Sequence, residues 1–245
     1  MLPRSVSLFH FTKNMEVLKA VLKDGFWPRY CLEDVQWQGR KENDYVAFPM
    51  VCFCDIPMSR ISEHVNFYGS FGIGLTKDWG AKNNLNPVFY FTGDNPLHGA
   101  IKSLITLASG LSEAEKKTSY KHVRYILAHS KPTQGRMLIS DKPVLKDFYQ
   151  ESEWRYVPQH EKIDDYLSLG EYQDKEALDK NNKKTGDLCR LKFLPSDVKY
   201  IFVPTDSEIP AVMNFIQAEL DYFPNADLKI LMSRVISLES ISFDM

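Results

Sequence analysis

Residues 147–157 place the strongest constraint on how this chain can fold. Aromatic and β-branched residues alternate here with charged ones, which predicts a β-strand. Residues two apart on a strand leave the same face, so Glu151 and Glu153 are expected side by side. Two neighbouring carboxylates repel each other, and folding alone does not require them. The pair could therefore hold a cationic or polyhydroxyl ligand, such as a ribose beside a nicotinamidium.

A structural explanation of the same pair is equally open. Either glutamate could pair with Arg155, which shares their face, or with a lysine from another element. Trp154 is expected to point the opposite way and to anchor the strand in the core. If the pair is partly buried, repulsion is expected to raise the pKa of one carboxyl, which would favour acid–base chemistry.

The pattern along the chain predicts an α+β fold. Strands are predicted at 7–12, 45–56, 70–76, 87–92 and 199–204, and helices at 59–67, 77–82, 96–107, 118–130 and 209–220. A further helix is expected after a cap at Thr12 or Asn14, ending at Gly25. Strands and helices do not strictly alternate, which indicates a compact sheet pair with flanking helices. We predict one domain over 1–245.

Two polar stretches are predicted to be loops. The first covers 33–44, and the second covers about 161–187 and precedes a C-terminal strand and helix. Residues 179–187 contain no apolar side chain and should be exposed. The basic run from Lys180 to Lys192 could be a solvated loop or a track for phosphates.

Composition narrows the class of protein. The 245 residues are 44% hydrophobic, which is enough for a real core, and the net charge of -2 gives no global case for nucleic-acid binding. The four cysteines are few and irregularly spaced, as in a reducing cytosol. No apolar run approaches the roughly 18 residues of a membrane span. We therefore expect a cytoplasmic protein with no membrane segment.

Polar residues near the start of the chain form a candidate binding site. His10 and Thr12 share a strand face, where they could hydrogen-bond a ribose, or His10 could be a core-edge histidine bonded to the backbone. Tyr68 lies four residues after His64 on one helix face and could stack on a flat ring or be an ordinary helix-end tyrosine. Gly72 belongs to a glycine-rich strand, where glycines mark a bend or a close backbone approach.

The sequence does not indicate a metal site. Cys52 and Cys54 share a strand face, but a metal needs about four ligands, and the other cysteines and the histidines lack ligand spacing. No phosphate-binding loop, serine-hydrolase elbow or zinc-protease motif occurs. We therefore expect no metal.

Several segments together resemble the AbiGi-like family of bacterial abortive phage-resistance proteins. They are 7–13, 25–31, 53–59, 64–74 and 151–156. The similarity covers most of the chain, and that family carries an antitoxin label in an abortive-infection pair. The resemblance implies a co-encoded toxin or antitoxin partner.

The order of the polar motifs also resembles the ADP-ribosyltransferase superfamily, which implies a split β-sheet core and NAD as substrate. By this resemblance His10, with Thr12, would contact a ribose and Tyr68 would stack on nicotinamide. Glu153 would be catalytic, stabilising the oxocarbenium-like transition state, and Glu151 would orient the acceptor. The strand containing Gly72 would let the backbone approach the pyrophosphate.

Three functions therefore stay open at the level of sequence. The first, which we favour narrowly, is an NAD-dependent mono-ADP-ribosyltransferase that modifies a nucleic acid or a protein as a toxin or phage-defence effector. The second is a non-catalytic antitoxin or regulatory partner of a co-encoded toxin. The third is a nucleic-acid enzyme or binder that does not use NAD.

Overall fold

The computed structural model describes residues 5–35, 45–93, 95–139 and 142–242. The strands are β1 (Ser7–Thr12), β2 (Arg29–Asp34), β3 (Tyr45–Cys54), β4 (Phe71–Thr76), β5 (Asn86–Pro87), β6 (Phe89–Phe91), β7 (Ser130–Pro132), β8 (Gln134–Ile139), β9 (Lys142–Asp147), β10 (Glu153–Tyr156), β11 (Leu167–Ser168), β12 (Val198–Val203) and β13 (Val235–Ser237). The helices are α1 (Met15–Asp24), α2 (Ile61–Tyr68), α3 (Lys77–Lys82), α4 (Pro96–Ser109), α5 (Glu113–Ala128), α6 (Leu169–Gln173), α7 (Lys175–Leu188), α8 (Ile209–Glu219), α9 (Asn225–Met232) and α10 (Leu238–Ser242). The predicted α+β class is confirmed. No helix in these ranges is long and apolar enough to cross a bilayer.

Contacts group the chain into two compact units. The first unit comprises Met1–Trp27, Cys52–Leu85 and Arg190–Met245, and the second comprises Pro28–Val51 and Asn86–Cys189. The single domain over 1–245 and the ADP-ribosyltransferase-like split sheet stay predictions. Each unit is described by itself below.

The first unit is built on a mixed sheet. β4 pairs antiparallel with β1 on one side and with β12 on the other, and β12 pairs parallel with β13. The predicted entry into α1 is confirmed, because the side chain of Asn14 accepts a hydrogen bond from the Val17 amide. Gly25 ends this helix with a φ of 81°, a left-handed value that suits glycine.

Alternate residues of β1 pack into different surroundings. Phe9 and Phe11 belong to an apolar cluster with Phe202, against which Tyr68 packs. His10 instead lies against the rings of Phe26 and Phe53. The two faces of this strand therefore carry different aromatic cores.

The second unit contains several short strand pairings. β2 and β11 both pair antiparallel with β3, and β10 pairs antiparallel with β5. β6 and β7 pair parallel, whereas β8 and β9 pair antiparallel. Of the predicted loop at 33–44, Glu33 and Asp34 end β2, and residues 36–44 lie outside the described residues.

The predicted loop at 161–187 is wrong from Leu167 onward, where β11, α6 and α7 follow one another. Asp174 caps α7 by accepting hydrogen bonds from the amides of Glu176 and Ala177. The helix buries a polar face, where Asn182 accepts a hydrogen bond from the Tyr30 amide at 3.0 Å. Because its buried side chains are polar, the segment lacks the apolar periodicity that marks a helix.

The predicted strand at 147–157 is also wrong in its first half. A 3-10 turn covers Tyr149–Glu151, and Ser152 then adopts a left-handed conformation with a φ of 44°. The strand β10 begins only at Glu153. Glu151 and Glu153 are therefore not successive residues on one face of a strand.

Candidate functional site

Six charged side chains of the second unit form one ion network. Glu151 and Glu153 converge on Lys131, whose Nζ lies 3.4 Å from Glu151 Oε2 and 3.0 Å from Glu153 Oε2. Lys146 Nζ lies 2.5 Å from Glu151 Oε1. The two glutamates are thus brought together by a shared cation rather than by strand spacing.

Arg155 completes the network on the side of Glu153. Its Nε lies 2.8 Å from Glu153 Oε1, and its Nη2 lies 2.9 Å from Glu33 Oε1. Its Nη1 donates a hydrogen bond to the Ala128 carbonyl at 2.7 Å. Three carboxylates therefore face three cations, so the group is neutral when all six side chains are charged.

Local structure fixes the positions of these groups. Lys131 lies at the centre of β7, and its ammonium stands 4.1 Å from the centre of the Phe148 ring. The hydroxyl of Tyr90 accepts a hydrogen bond from the Glu153 amide at 2.9 Å. The left-handed residue Ser152 turns the chain between the two glutamates. Short strands and one tight turn therefore supply the geometry.

Burial makes this network sensitive to any unpaired charge. Glu151 and Glu153 are 6% and 5% exposed, and Arg155 is fully buried. Burial by itself would raise the pKa of Glu151, but Lys131 and Lys146 hold that pKa below its ordinary value. The predicted rise in one carboxyl pKa does not occur at Glu151. A carboxylate held ionised by two lysines does not suit acid catalysis.

The faces of β10 carry the reverse of the expected pattern. Trp154 alternates with Glu153 and Arg155, as predicted, but it is only half-buried. The charged face is the buried one. Arg155, and not Trp154 as expected, therefore anchors the strand, through its bonds to the Glu153 carboxylate and the Ala128 carbonyl.

His10 takes the position of a core-edge histidine. Its Nδ1 lies 2.8 Å from the Cys52 carbonyl, which requires a proton on that nitrogen. Burial lowers the pKa of this imidazole, although the bond to the Cys52 carbonyl partly opposes the shift. Thr12 follows two residues later on the same strand and is half-buried. These contacts agree with the backbone-bonded alternative for His10.

Tyr68 and Gly72 both pack closely against other residues of the first unit. The Tyr68 ring lies 4.4 Å from the His64 ring, so the predicted neighbour pair is confirmed. A Cβ at Gly72 would stand 2.6 Å from the Phe11 ring. The predicted close approach at this glycine is therefore made by a phenylalanine of the adjacent strand.

The structure unites some of the predicted site residues and separates others. Glu151 and Glu153 share Lys131, whereas Tyr68 packs with the cluster on one face of β1 and His10 lies on the other. The glutamates belong to the second unit, and the remaining candidates belong to the first. The binding and catalytic roles of all six stay predictions.

The sequence did not single out two residues that dominate the network. Lys131 lies 20 residues before Glu151 in a strand of three residues, too short for a recognisable pattern. Lys146 precedes the segment and reads as an ordinary solvated lysine. They are covered only by the general expectation that a lysine from another element could pair with one of the glutamates.

Metal binding finds no support in the part of the chain that the structure describes. No group of three or more histidine, cysteine or acidic side chains there could hold an ion. None of the four cysteines, Cys31, Cys52, Cys54 and Cys189, forms a disulfide.

Replacing His10 with glutamine is expected to flatten the pH dependence of stability. In the folded chain the pKa of His10 lies below its ordinary value of 6.5, so between these two pKa values the unfolded chain binds more protons. The free energy of unfolding should therefore fall as pH drops below about 6.5. Urea unfolding of both proteins from pH 5 to 8 measures this. Parallel curves for the two proteins would contradict the buried, neutral histidine.

Comparison with known proteins gives consistent results. A family model described as "Putative abortive phage resistance protein AbiGi, antitoxin" matches residues 24–204 of the 245. The chain is also 29% identical over 246 aligned positions to a Lactococcus lactis subsp. cremoris protein described as "Abortive phage resistance protein AbiGi". That alignment covers 89% of this chain and 99% of the relative. No solved structure matches the chain.

Proposed function

The chain belongs to the AbiGi family of abortive phage resistance proteins, and on this premise we propose that it is a non-catalytic antitoxin that binds a co-encoded toxin. The observation that carries this proposal is the closed ion network. Glu153, the glutamate expected to act on NAD, is buried against Lys131 and Arg155. A carboxylate engaged by two cations is poorly placed to stabilise positive charge on a substrate.

An antitoxin of this kind needs a docking surface, and α4 offers one. Leu97, Leu104 and Leu107 on this helix are 44%, 48% and 70% exposed, and Leu111 beyond its end is 43% exposed. Within the helix, Leu97, Ala100, Leu104 and Leu107 follow the alternating three- and four-residue spacing of a helix-pairing seam. An exposed apolar stripe of this type marks a site for a protein partner. We assign this stripe to the toxin.

Co-expression with the product of the neighbouring gene tests the proposal. We expect that product alone to arrest growth, and this chain to restore growth and to co-purify with it. The double variant Leu104→Lys/Leu107→Lys should weaken the complex at least about tenfold, because two charges would be buried in the seam. Ile230→Lys, at a similarly exposed apolar position on α9, is the matched control and should bind normally.

Two outcomes would count against this function. One is growth arrest caused by this chain alone, which would indicate a toxin. The other is equal loss of the complex in the α4 variant and in the Ile230→Lys control. The NAD-dependent ADP-ribosyltransferase stays a prediction, and it requires label transfer from NAD that depends on Glu153.

A further inference from the structure

The first unit contains a cavity that the antitoxin proposal does not use. It has a volume of about 430 Å³ and lies where the C-terminal ends of α1 and α3 meet the segments 192–197 and 220–223. Small-molecule sites typically measure roughly 300–1,000 Å³. The cavity is therefore large enough for a ligand of mononucleotide size.

Aromatic side chains form one part of the cavity wall. Trp79, Phe193 and Phe223 all line it. The indole Nε1 of Trp79 donates a hydrogen bond to the Lys192 carbonyl at 3.0 Å, and the Trp79 ring lies 6.5 Å from the Phe193 ring. These contacts hold the aromatic wall in place before any ligand arrives. Such a wall suits a planar ring, which gains by stacking or edge contacts.

Lysines form the other part of the wall. Lys82 and Lys192 are both exposed at the cavity, and neither makes an ion pair with another residue in the described ranges. The charge of Lys82 also complements the negative end of the α3 helix dipole, whereas Lys192 belongs to no helix. Asp197, an acid of the lining, accepts a hydrogen bond from the Leu194 amide at 2.8 Å. The cavity therefore presents a net positive charge beside its rings.

We propose that this cavity binds a small anion that carries a planar ring, of the class of a purine mononucleotide. The ring would lie against Phe193 and Phe223, beside the buried Trp79, and the phosphate would face Lys82 and Lys192. Rings alone would suit any apolar group, and lysines alone would suit any anion. The two together in one cavity select a ligand that has both parts. The site is independent of the ion network and of the α4 stripe.

Calorimetric titration of the full chain with AMP, adenosine and inorganic phosphate tests the proposal. We expect saturable binding of AMP, and binding at least about tenfold weaker for adenosine and for phosphate. Lys82→Ala/Lys192→Ala should weaken AMP binding by at least about tenfold. Lys180→Ala/Lys183→Ala, a pair on α7 in the second unit, is the matched control and should bind AMP normally.

Three results would overturn the proposal of a nucleotide site. Absence of saturable AMP binding at millimolar concentration would do so, as would equal affinity for AMP and adenosine. Equal affinity in the two lysine variants would also contradict it. Thermal unfolding of each variant establishes that it is folded. A negative result here would leave toxin binding through α4 unaffected, because that complex is measured separately.

Discussion

Replacing Arg155 with methionine is expected to lower the free energy of unfolding by about 3–5 kcal/mol, the usual cost of breaking a buried ion pair from one side. Arg155 is fully buried and bonds to Glu153, Glu33 and the Ala128 carbonyl. Its loss would leave two carboxylates short of a partner in a poorly solvated site. Urea unfolding of both proteins at pH 7 measures the difference.

The exposed pair of Lys183 and Asp187 on α7 provides the control for that experiment. Their side chains are 74% and 59% exposed, so Lys183→Met should change stability by no more than about 0.5 kcal/mol. If Arg155→Met lowered the free energy of unfolding by less than about 1 kcal/mol, a stabilising role of the ion network would be contradicted. A cycle with Lys131→Met and Glu153→Gln should also be strongly non-additive, because the two side chains touch.

Replacing Gly69 with alanine is the second change with a large expected effect, a loss of about 3 kcal/mol or more. Gly69 has a φ of 120°, and a Cβ there would overlap the Thr12 carbonyl oxygen. The Cβ position is fixed by the backbone, and the atom that it meets is itself a backbone atom, so no side chain can move to relieve the clash. The α2–β4 connection would have to shift away from β1.

Gly99 is the matched control for Gly69. A Cβ at Gly99 would meet nothing within 4 Å, and the residue lies inside α4. Gly99→Ala should therefore stabilise the chain by roughly 0.5–1 kcal/mol, the difference in helix propensity. Denaturant unfolding of both variants should give changes of opposite sign. Equal changes would contradict the steric account of Gly69.

Much of the fold could be predicted where apolar periodicity and caps agree. β1, the cap at Asn14 and the end of α1 at Gly25 all follow from local side-chain chemistry. α7 could not be predicted in this way, because it buries Asn182 and Thr185 rather than apolar side chains. A polar helix face is recognisable only when its partners, such as the Tyr30 amide, are known.

The candidate site was predictable only in part. The sequence identified Glu151 and Glu153 as an unusual pair and named Arg155 as a possible partner. It could not indicate Lys131, which reaches the pair from a strand of three residues. The direction of the Glu151 pKa shift depends on that lysine, which together with Lys146 outweighs the effect of burial and lowers this pKa. Contacts between residues that are far apart in the sequence determine the geometry and the pKa shifts of such a site.

We propose that Glu153 has a structural role in an antitoxin rather than a catalytic role on NAD. The most direct test incubates the chain with labelled NAD and cell lysate, beside a Glu153→Gln variant shown to be folded. We predict no label transfer above background for either protein. Transfer by the unmodified chain that disappears in Glu153→Gln would contradict the account and establish an ADP-ribosyltransferase.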